Sequence, residues 1–412
     1  MKRLLHIAVA AGSIISTTWL TTTPALALGF KNPDQDAAAT GQGEAFVAQA
    51  DTPGAIYYNP AGLTQIKGTE FSSTAFVSFR DIQFNGASGK DDLNDPIYSG
   101  SFYLTTDLGQ DKWRFAVGVN VPYGDASDWG NSGPFKYVVT KSSLMVVNAQ
   151  PTVAYKFNDH VSLGVGWNIY DGNTELERLV PFSLINPLLP DGKFRFHGDG
   201  QAFGATVGLL VTINEYNSVG VTYRSPFSID FHGNAAVKND PTGTLGRSPA
   251  NAEIDFPQSV AAGYAFRPTK RLKLEVDAEW TNWETLNNVR LHSPNPAFAN
   301  DPSSTIPFNW LDSWYYEVGA QYQIDDHWVV RAGYIYSENT VPDSSFSPSV
   351  ADSNRNVFSV GLGYSTQRFV VNAVYQYSLS EDRKVTNAGD PAVDGSWTSN
   401  SNVLMLTSTV KF

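Results

Sequence analysis

Cysteine is absent from all 412 residues. That excludes thiolate nucleophiles, iron–sulfur clusters, thiolate-bound zinc and stabilising disulfides. Positive charge is scarce: 28 Lys and Arg stand against 40 Asp and Glu, a formal charge of −12. The basic stripe of a nucleic-acid-binding protein is therefore not expected. Beyond the N-terminal leader no run approaches the roughly 18 apolar residues of a membrane-spanning helix. Histidine is sparse as well. His160, His197, His232, His292 and His327 flank turns or loops, and none accompanies a recognisable nucleophile motif, although spacing alone does not dispose of a triad. G-Q-G-E-A-F at 41–46 lacks the third glycine and the preceding strand of a nucleotide-binding turn. D-G-N-T-E at 171–175 reads as a polar loop entry rather than a calcium loop. No metal, no cofactor and no catalytic residue is expected.

The N-terminus carries a different signal. Lys2 and Arg3 precede L-L-H-I-A-V-A-A-G-S-I-I, and Ala25 and Ala27 supply the small-x-small pattern of a signal-peptidase site. Residues 1–27 are read as a cleaved secretion signal. Removing Lys2 and Arg3 leaves 26 basic against 40 acidic side chains, a charge of −14.

A mature chain of this length would make two or three ordinary domains unless one large closed β structure uses most of it. Period-two alternation favours the second case. In R-L-K-L-E-V-D-A-E-W, Arg271, Lys273, Glu275, Asp277 and Glu279 share one face and Leu272, Leu274, Val276, Ala278 and Trp280 the other. V-S-L-G-V-G-W-N-I at 161–169 repeats the dyad. Read this way, strands fall near 69–84, 97–107, 112–122, 142–157, 160–171, 194–213, 217–231, 252–266, 270–291, 310–324, 327–338, 355–366, 368–379 and 400–412. Their number is about fourteen, and it is even. Short turns at 108–111, 158–159, 214–216, 267–269 and 325–326 alternate with long segments. Such alternation fits an all-β, antiparallel transmembrane β-barrel of a bacterial outer membrane, with short periplasmic turns and long extracellular loops. A soluble sandwich predicts no such asymmetry. Trp113, Trp280, Trp283, Trp310, Trp314, Tyr315 and Trp328 near strand ends are read as interfacial girdles. The ending T-S-T-V-K-F, with Phe412 last, resembles the signal read by barrel-assembly machinery, and outer-membrane lipids including lipopolysaccharide would surround the wall.

Residues 28–68 break the pattern. They are rich in Ala, Gly and small polar residues, and are compact enough to fill the lumen of a barrel spanning 69–412. Within them Tyr57, Tyr58, Asn59, Pro60 and Ala61 form an aromatic pair leading into a sharp stop. Pro60 fixes φ and disfavours a helical Asn59. The stop either anchors this segment to the barrel wall or merely turns the chain into the first strand.

An N-terminal G-F, the Gly- and Ala-rich segment and N-P-A resemble the hatch of FadL-type outer-membrane transporters, which carry long-chain fatty acids and, in the TodX-like branch, aromatic hydrocarbons. The similarity continues through V-G-V-T-Y-R-S-P-F (219–227), D-F-P-Q-S-V (255–260), L-E-V-D-A-E-W-T-N-W (274–283) and W-V-V-R-A-G-Y (328–334), and so covers the mature chain. The resemblance implies passive uptake of hydrophobic molecules. Capture would fall to the apolar loop 176–192, with Leu179, Val180, Phe182, Leu184, Ile185, Leu188 and Leu189; the same residues would also suit a plug over the barrel mouth. Transfer would follow to a lumen pocket near Phe30 and Arg178, then lateral release at a kink in the third strand, for which Pro122 and Gly124 are the candidates. Arg178 would meet a carboxylate headgroup or pair with Glu175 or Glu177. Leu311 replaces a second basic position of the family, which leaves neutral hydrocarbons open. A general diffusion porin and an outer-membrane lipid hydrolase are the competing readings.

Overall fold

The computed structural model describes residues 29–412 except Asn387; the expected signal peptide and Leu28 lie outside the described residues. Fourteen long antiparallel strands close into one barrel. They are β1 Thr69–Gly86, β2 Ile97–Thr106, β3 Trp113–Asp128, β4 Lys141–Lys156, β5 Val161–Val180 and β6 Gly192–Thr212. Strand β7 runs Asn217–Arg224 and, past Pro226, Phe227–Lys238; β8 runs Ser248–Phe256 and, past Pro257, Ser259–Phe266. The ring continues with β9 Leu272–Thr281, β10 Ser313–Gln323, β11 Trp328–Ser337, β12 Arg355–Ser365, β13 Phe369–Ser380 and β14 Gly395–Lys411. Closure comes from β14 pairing with β1, in register from Glu70↔Lys411 to Gly86↔Gly395. No long edge is left unpaired there, as a wall surrounded by hydrocarbon requires.

Alternation along each strand sets the two faces. Toward the short-turn end the outer face is apolar: Phe71 and Phe79 on β1, Val165, Trp167 and Ile169 on β5, Phe203, Val207 and Leu209 on β6. The inner face at the same level is polar, with Ser72, Thr74 and Ser78 on β1 and Glu275 and Asp277 on β9. Nearer the loop end the faces exchange character. Asp81 and Gln83 point out while Ile82 and Phe84 are buried inside, and on β5 Asp171 points out while Tyr170 is buried. The barrel walls therefore rise beyond the apolar belt and enclose a hydrophobic core of their own.

Two expectations about strands need correction. The stretch 270–291 is not one strand: after Thr281 the chain enters a 3-10 turn, Trp283–Thr285, and only then a short strand, Asn288–His292. Of the aromatics assigned to girdles, Trp113, Trp314 and Trp328 are exposed on the outer face, but Trp283, Trp310 and Tyr315 are buried inside. Turns and inward parity place these three in the lumen, where aromatic surface is removed from water just as well. The apolar segment 176–192 is part strand, because β5 continues to Val180 and β6 begins at Gly192. Only 181–191 is loop.

Residues 29–68 lie within the ring, where positions 30–50 and 53–64 are all buried. Their elements are short: one helical turn at Ala37–Thr40, another at Ala55–Tyr58 and a 3-10 turn at Pro60–Gln65. The wall meets this backbone through glycines. A Cβ at Gly164 would stand 2.3 Å from the Pro60 carbonyl carbon, at Gly220 2.1 Å from the Val47 oxygen, and at Gly333 2.0 Å from the Gly43 nitrogen. Real Cβ atoms do not approach so closely, so the interior segment is seated on backbone. Gly220→Val should leave a folded barrel with an unseated interior segment, at a cost of about 1–3 kcal/mol. Heat-modifiable electrophoretic mobility combined with limited proteolysis of residues 29–68 checks this, and unchanged protection would refute the seating.

Candidate functional site

The interior segment is gripped by carboxylates from β9. The Oδ2 of Asp277 accepts from the amides of Phe46 and Val47, both at 2.8 Å, and Oε1 of Glu275 accepts from Ala48 at 2.5 Å and Gln49 at 3.2 Å. Four consecutive amides thus find partners on one strand, because Glu275 and Asp277 are two residues apart and share the inner face. Asn59 ties the next stretch down. Its amide donates to the Val47 carbonyl at 2.8 Å and to Leu209 of β6 at 3.1 Å, while its carbonyl oxygen caps the following turn through Ala61. Pro60 rests against Gly164.

Tyr57 and Tyr58 bind both the interior segment and the wall. Their hydroxyls donate to the carbonyls of Asn32 (3.3 Å) and Pro33 (3.0 Å) within the same segment, and the Tyr58 hydroxyl accepts from Gln35. Their carbonyls meet the wall at Arg224 and Thr222 of β7, and the Arg224 guanidinium also lies over the Tyr57 ring at 4.5 Å. The stretch before Asn59 is therefore tied at many points rather than loose. Asp34 and Glu44, both carried on it, are raised above the ordinary carboxylate range by burial first, and Glu44 further by the charge of Asp34.

The leading residues reach a defect in the wall. Strand β3 pairs with β2 only from Thr106↔Phe115 to Phe102↔Val119, and its register with β4 slips between Asn120 and Tyr123. Beyond Val119 the upper half of β3 has left β2. Residues 30–32 take up the freed backbone: Asn32 donates to the Pro122 carbonyl at 2.8 Å, and Gly124 donates to the Phe30 carbonyl at 2.7 Å. Pro122 lacks the donor of an ordinary ladder position, which makes it a natural place for a strand to part from its neighbour. Lys31 is paired with Glu279 of β9 at 2.5 Å.

Above this point lies an aromatic chamber. Phe30 sits 4.8 Å from Trp310 and 6.3 Å from Trp283, ring to ring. Phe227 lies between Tyr170, at 3.8 Å and 15°, and Phe256, at 4.6 Å and 6°, with Tyr123 closing one side. Pro226 and Pro257 interrupt two neighbouring strands beside Phe227 and Phe256, which are directly paired. These rings belong to one apolar cluster reaching from Phe30 to Phe135 and Trp397 at the loop end. Below the chamber, a small cavity of about 30 Å³ lies between Lys31, Tyr57, Arg224, Glu279 and Glu317, with room for water molecules.

The remaining expected residues separate. Val180 and Phe182 pack onto the apolar cluster, Leu179 and Leu189 are half-buried, and Leu184, Ile185 and Leu188 stand 74%, 82% and 91% exposed at the loop tip. Arg178 is not beside Phe30. It lies at the rim, donating to Ser303 at 2.5 Å with Asp301 4.0 Å away and its guanidinium over Phe194. Glu175 and Glu177 pair instead with Lys141, Lys193 and Arg195. Leu311 is about half exposed. His160 and His327 cap turns against backbone carbonyls and His232 meets Asp230 at the surface. Tyr123, Tyr170, Phe227, Phe256 and Trp283 escaped the sequence reading as site residues, although S-P-F and D-F-P mark where two strands bend.

Residues 18–412 match the family model described as outer membrane protein transport protein (OMPP1/FadL/TodX). A long-chain fatty acid transport protein of Escherichia coli O6:H1 is 24% identical over 397 residues, covering 84% of this chain and 85% of that protein. Outer membrane protein P1 of Haemophilus influenzae is 22% identical over 392 residues, with 83% and 84% covered. Among solved structures, a Pseudomonas aeruginosa FadL homologue superposes with a TM-score of 0.84 at 19% identity, over 93% of this chain and all of that one. The Pseudomonas putida toluene transporter TodX gives 0.74 at 17%, over 93% and 99%.

Removing both β9 carboxylates, Glu275→Ala with Asp277→Ala, should free four buried amides at a cost of about 1–3 kcal/mol per unsatisfied group. Planar-bilayer conductance should rise; conductance equal to the parent protein would show that the grip does not hold the segment. The raised acids set a pH dependence. Their stabilising share is whole below the ordinary carboxylate value of about 4 and is lost as pH rises through the raised values. Proteolytic release of residues 29–68 should accordingly increase as pH rises from about 4 through about 6, the raised value of Asp34, and further as Glu44 ionises.

Proposed function

Because the chain belongs to the OMPP1/FadL/TodX family of outer-membrane transport proteins, we propose that it takes up hydrophobic small molecules passively across the outer membrane. The observation that carries this reading is an apolar interior continuous from the loop end down to a wall defect that residues 30–32 stopper. Leu184, Ile185 and Leu188, bare at the outermost loop, supply the first apolar contact, and Val180 and Phe182 lead from it into the cluster. Each methylene moved from water into such surroundings contributes about 0.8 kcal/mol, so a hydrocarbon needs no energy source to enter. It then displaces the ring of Phe30 from Trp283 and Trp310. Withdrawal of Phe30–Asn32 from Pro122 and Gly124 opens the seam between β2 and β3, and the cargo leaves sideways into the bilayer. The segment 29–68 acts as the hatch, residues 1–27 direct export, and Phe412, exposed at the end of the wall strand, addresses the barrel to its assembly machinery.

Both fatty acids and aromatic hydrocarbons fit this path. An open diffusion pore does not, because the hatch and the aromatic cluster occupy the lumen. Hydrolysis is disfavoured too, since among the described residues none of the five histidines lies in the buried interior, and the protein is read as a non-enzyme.

Mass spectrometry of small molecules retained through gentle purification tests the reading: hydrophobic acids or hydrocarbons support it, and steady ionic conductance through the intact protein would replace it with a porin. Changing Leu184, Ile185 and Leu188 together to Ser should reduce uptake at low substrate concentration roughly tenfold, about 1.4 kcal/mol of lost apolar contact. Uptake at saturating substrate should be spared, and an equal loss at all concentrations would place the effect beyond capture.

A further inference from the structure

The hairpin of β5 and β6 and the adjoining end of β7 carry, on their outer face above the apolar belt, a groove of about 370 Å³. Lys193, Arg195, Lys238 and Arg247 line it, with Glu177 and His197. Strand parity makes the face continuous, because Phe194, Phe196 and Val237 between these positions are buried inward. Cross-strand register sets Lys193 directly opposite Lys238. Like charges paired across a ladder cost stability, so their juxtaposition asks for an external anion. Internal compensation is partial. Glu177 reaches Lys193 at 2.6 Å and Arg195 at 3.5 Å, and Glu175 takes Arg195 at 2.5 Å. Among the described residues no carboxylate lies within ion-pair distance of Lys238 or Arg247. In a chain of formal charge −12, a groove with four cations and one carboxylate in its lining is a local reversal of sign.

Height selects the anion. Asp171 and Asp199 stand outward on β5 and β6 between the groove and the belt residues Ile169 and Phe203. Those carboxylates repel a phosphate held at the hydrocarbon boundary. His197 lies six positions beyond Phe203 along the strand, roughly 20 Å at about 3.3 Å per residue, and Lys193 lies farther still. We propose that this groove binds a phosphate carried on the core sugars of the outer-leaflet glycolipid, well above the acyl chains. Lys238 and Arg247 meet the phosphate, and Lys193 and Arg195, held by Glu175 and Glu177, form the fixed side of the groove. Such a contact would steady the hairpin that presents Leu184, Ile185 and Leu188, without touching the lumen path.

The test uses the full mature barrel in detergent micelles and three probes: lipopolysaccharide with a phosphorylated core, the same glycolipid truncated to lipid A, and inorganic phosphate. Binding is read by native mass spectrometry and by the shift in unfolding temperature. The parent protein should bind the core-bearing glycolipid more tightly than lipid A. Lys238→Ser and Arg247→Ser should each weaken that preference about fivefold, as expected for a surface charge near an anionic headgroup, and Lys238→Arg should retain it. Both changed residues are exposed and unpaired, so the variants should fold as the parent does. Equal binding of core-bearing glycolipid and lipid A, or a preference untouched by both substitutions, overturns the proposal. Displacement of the glycolipid by millimolar inorganic phosphate overturns it as well, since the groove would then take a free anion. Uptake at saturating substrate should be unchanged throughout, which separates this site from the transport path.

Discussion

Everything in this molecule depends on the backbone having nowhere to lose its hydrogen bonds. A strand in hydrocarbon finds no water for its amides, so a sheet there must close; β14 completes the circuit by pairing with β1 along nearly its whole length. Closure creates an interior of fourteen-strand width, and an interior of that width has to be filled or left as a pore. The same requirement then reappears one level down. A filler of some forty residues with only three short helical elements brings its own unpaired amides, and they are met by the wall side chains Glu275, Asp277 and, for Ala37, Thr407, while Asn59 of the filler donates to the wall in the opposite direction.

That economy explains why charged residues sit inside. In R-L-K-L-E-V-D-A-E-W the wet face is wet only in composition. Glu275 and Asp277 are buried against hatch amides, and Val276, on the opposite face, is exposed to the surroundings. The inside-out arrangement holds at hatch level and reverses above it, where Tyr170, Phe227 and Phe256 turn inward and Asp171 turns out. A strand therefore carries two amphipathic patterns in opposite phase, one for the bilayer and one for the projecting cup.

Much of this was legible. Dyad alternation and the contrast of short turns with long loops gave the strand number, because both follow from geometry that each segment carries locally. The Asn59–Pro60 stop was legible for the same reason. What alternation could not tell was which greasy face is interior. Trp283 and Trp310 look like girdle residues until the chain is seen to leave the strand after Thr281, and the pairing of Tyr57 and Tyr58 with residues 32–35 is a contact between parts of the hatch that no periodicity links. Arg178 illustrates the limit differently. Its neighbours Glu175 and Glu177 were the obvious partners in sequence, yet strand parity alternates, so they point to the other face and Asp301, from a distant loop, stands nearest. Pro226 and Pro257 were visible as letters, but only the register that places Phe227 opposite Phe256 gives them a purpose.

The distribution of fastening inside the barrel argues for where motion begins. From Asp34 to Thr64 the hatch is held from several directions: by β9 through two carboxylates, by β7 through Arg224 and Thr222, by β6 through Leu209, and by glycine seats on facing walls. Residues 30–32 are held by backbone bonds to the bulge of β3, by the Asn32 side-chain amide on the Val121 carbonyl, by the Tyr57 hydroxyl on the Asn32 carbonyl, by one ion pair to Glu279 and, at Phe30, by aromatic contact. Aromatic contact is the part of this hold that a hydrophobic cargo, on the proposed path, would compete with directly, by offering Trp283 and Trp310 the surface that Phe30 offers them. A ligand shifts an equilibrium only by binding one state better than the other. On the proposed path, cargo in the chamber and Phe30 in its seat would exclude each other, so that occupancy and withdrawal would be one event while the fastenings from Asp34 to Thr64 hold.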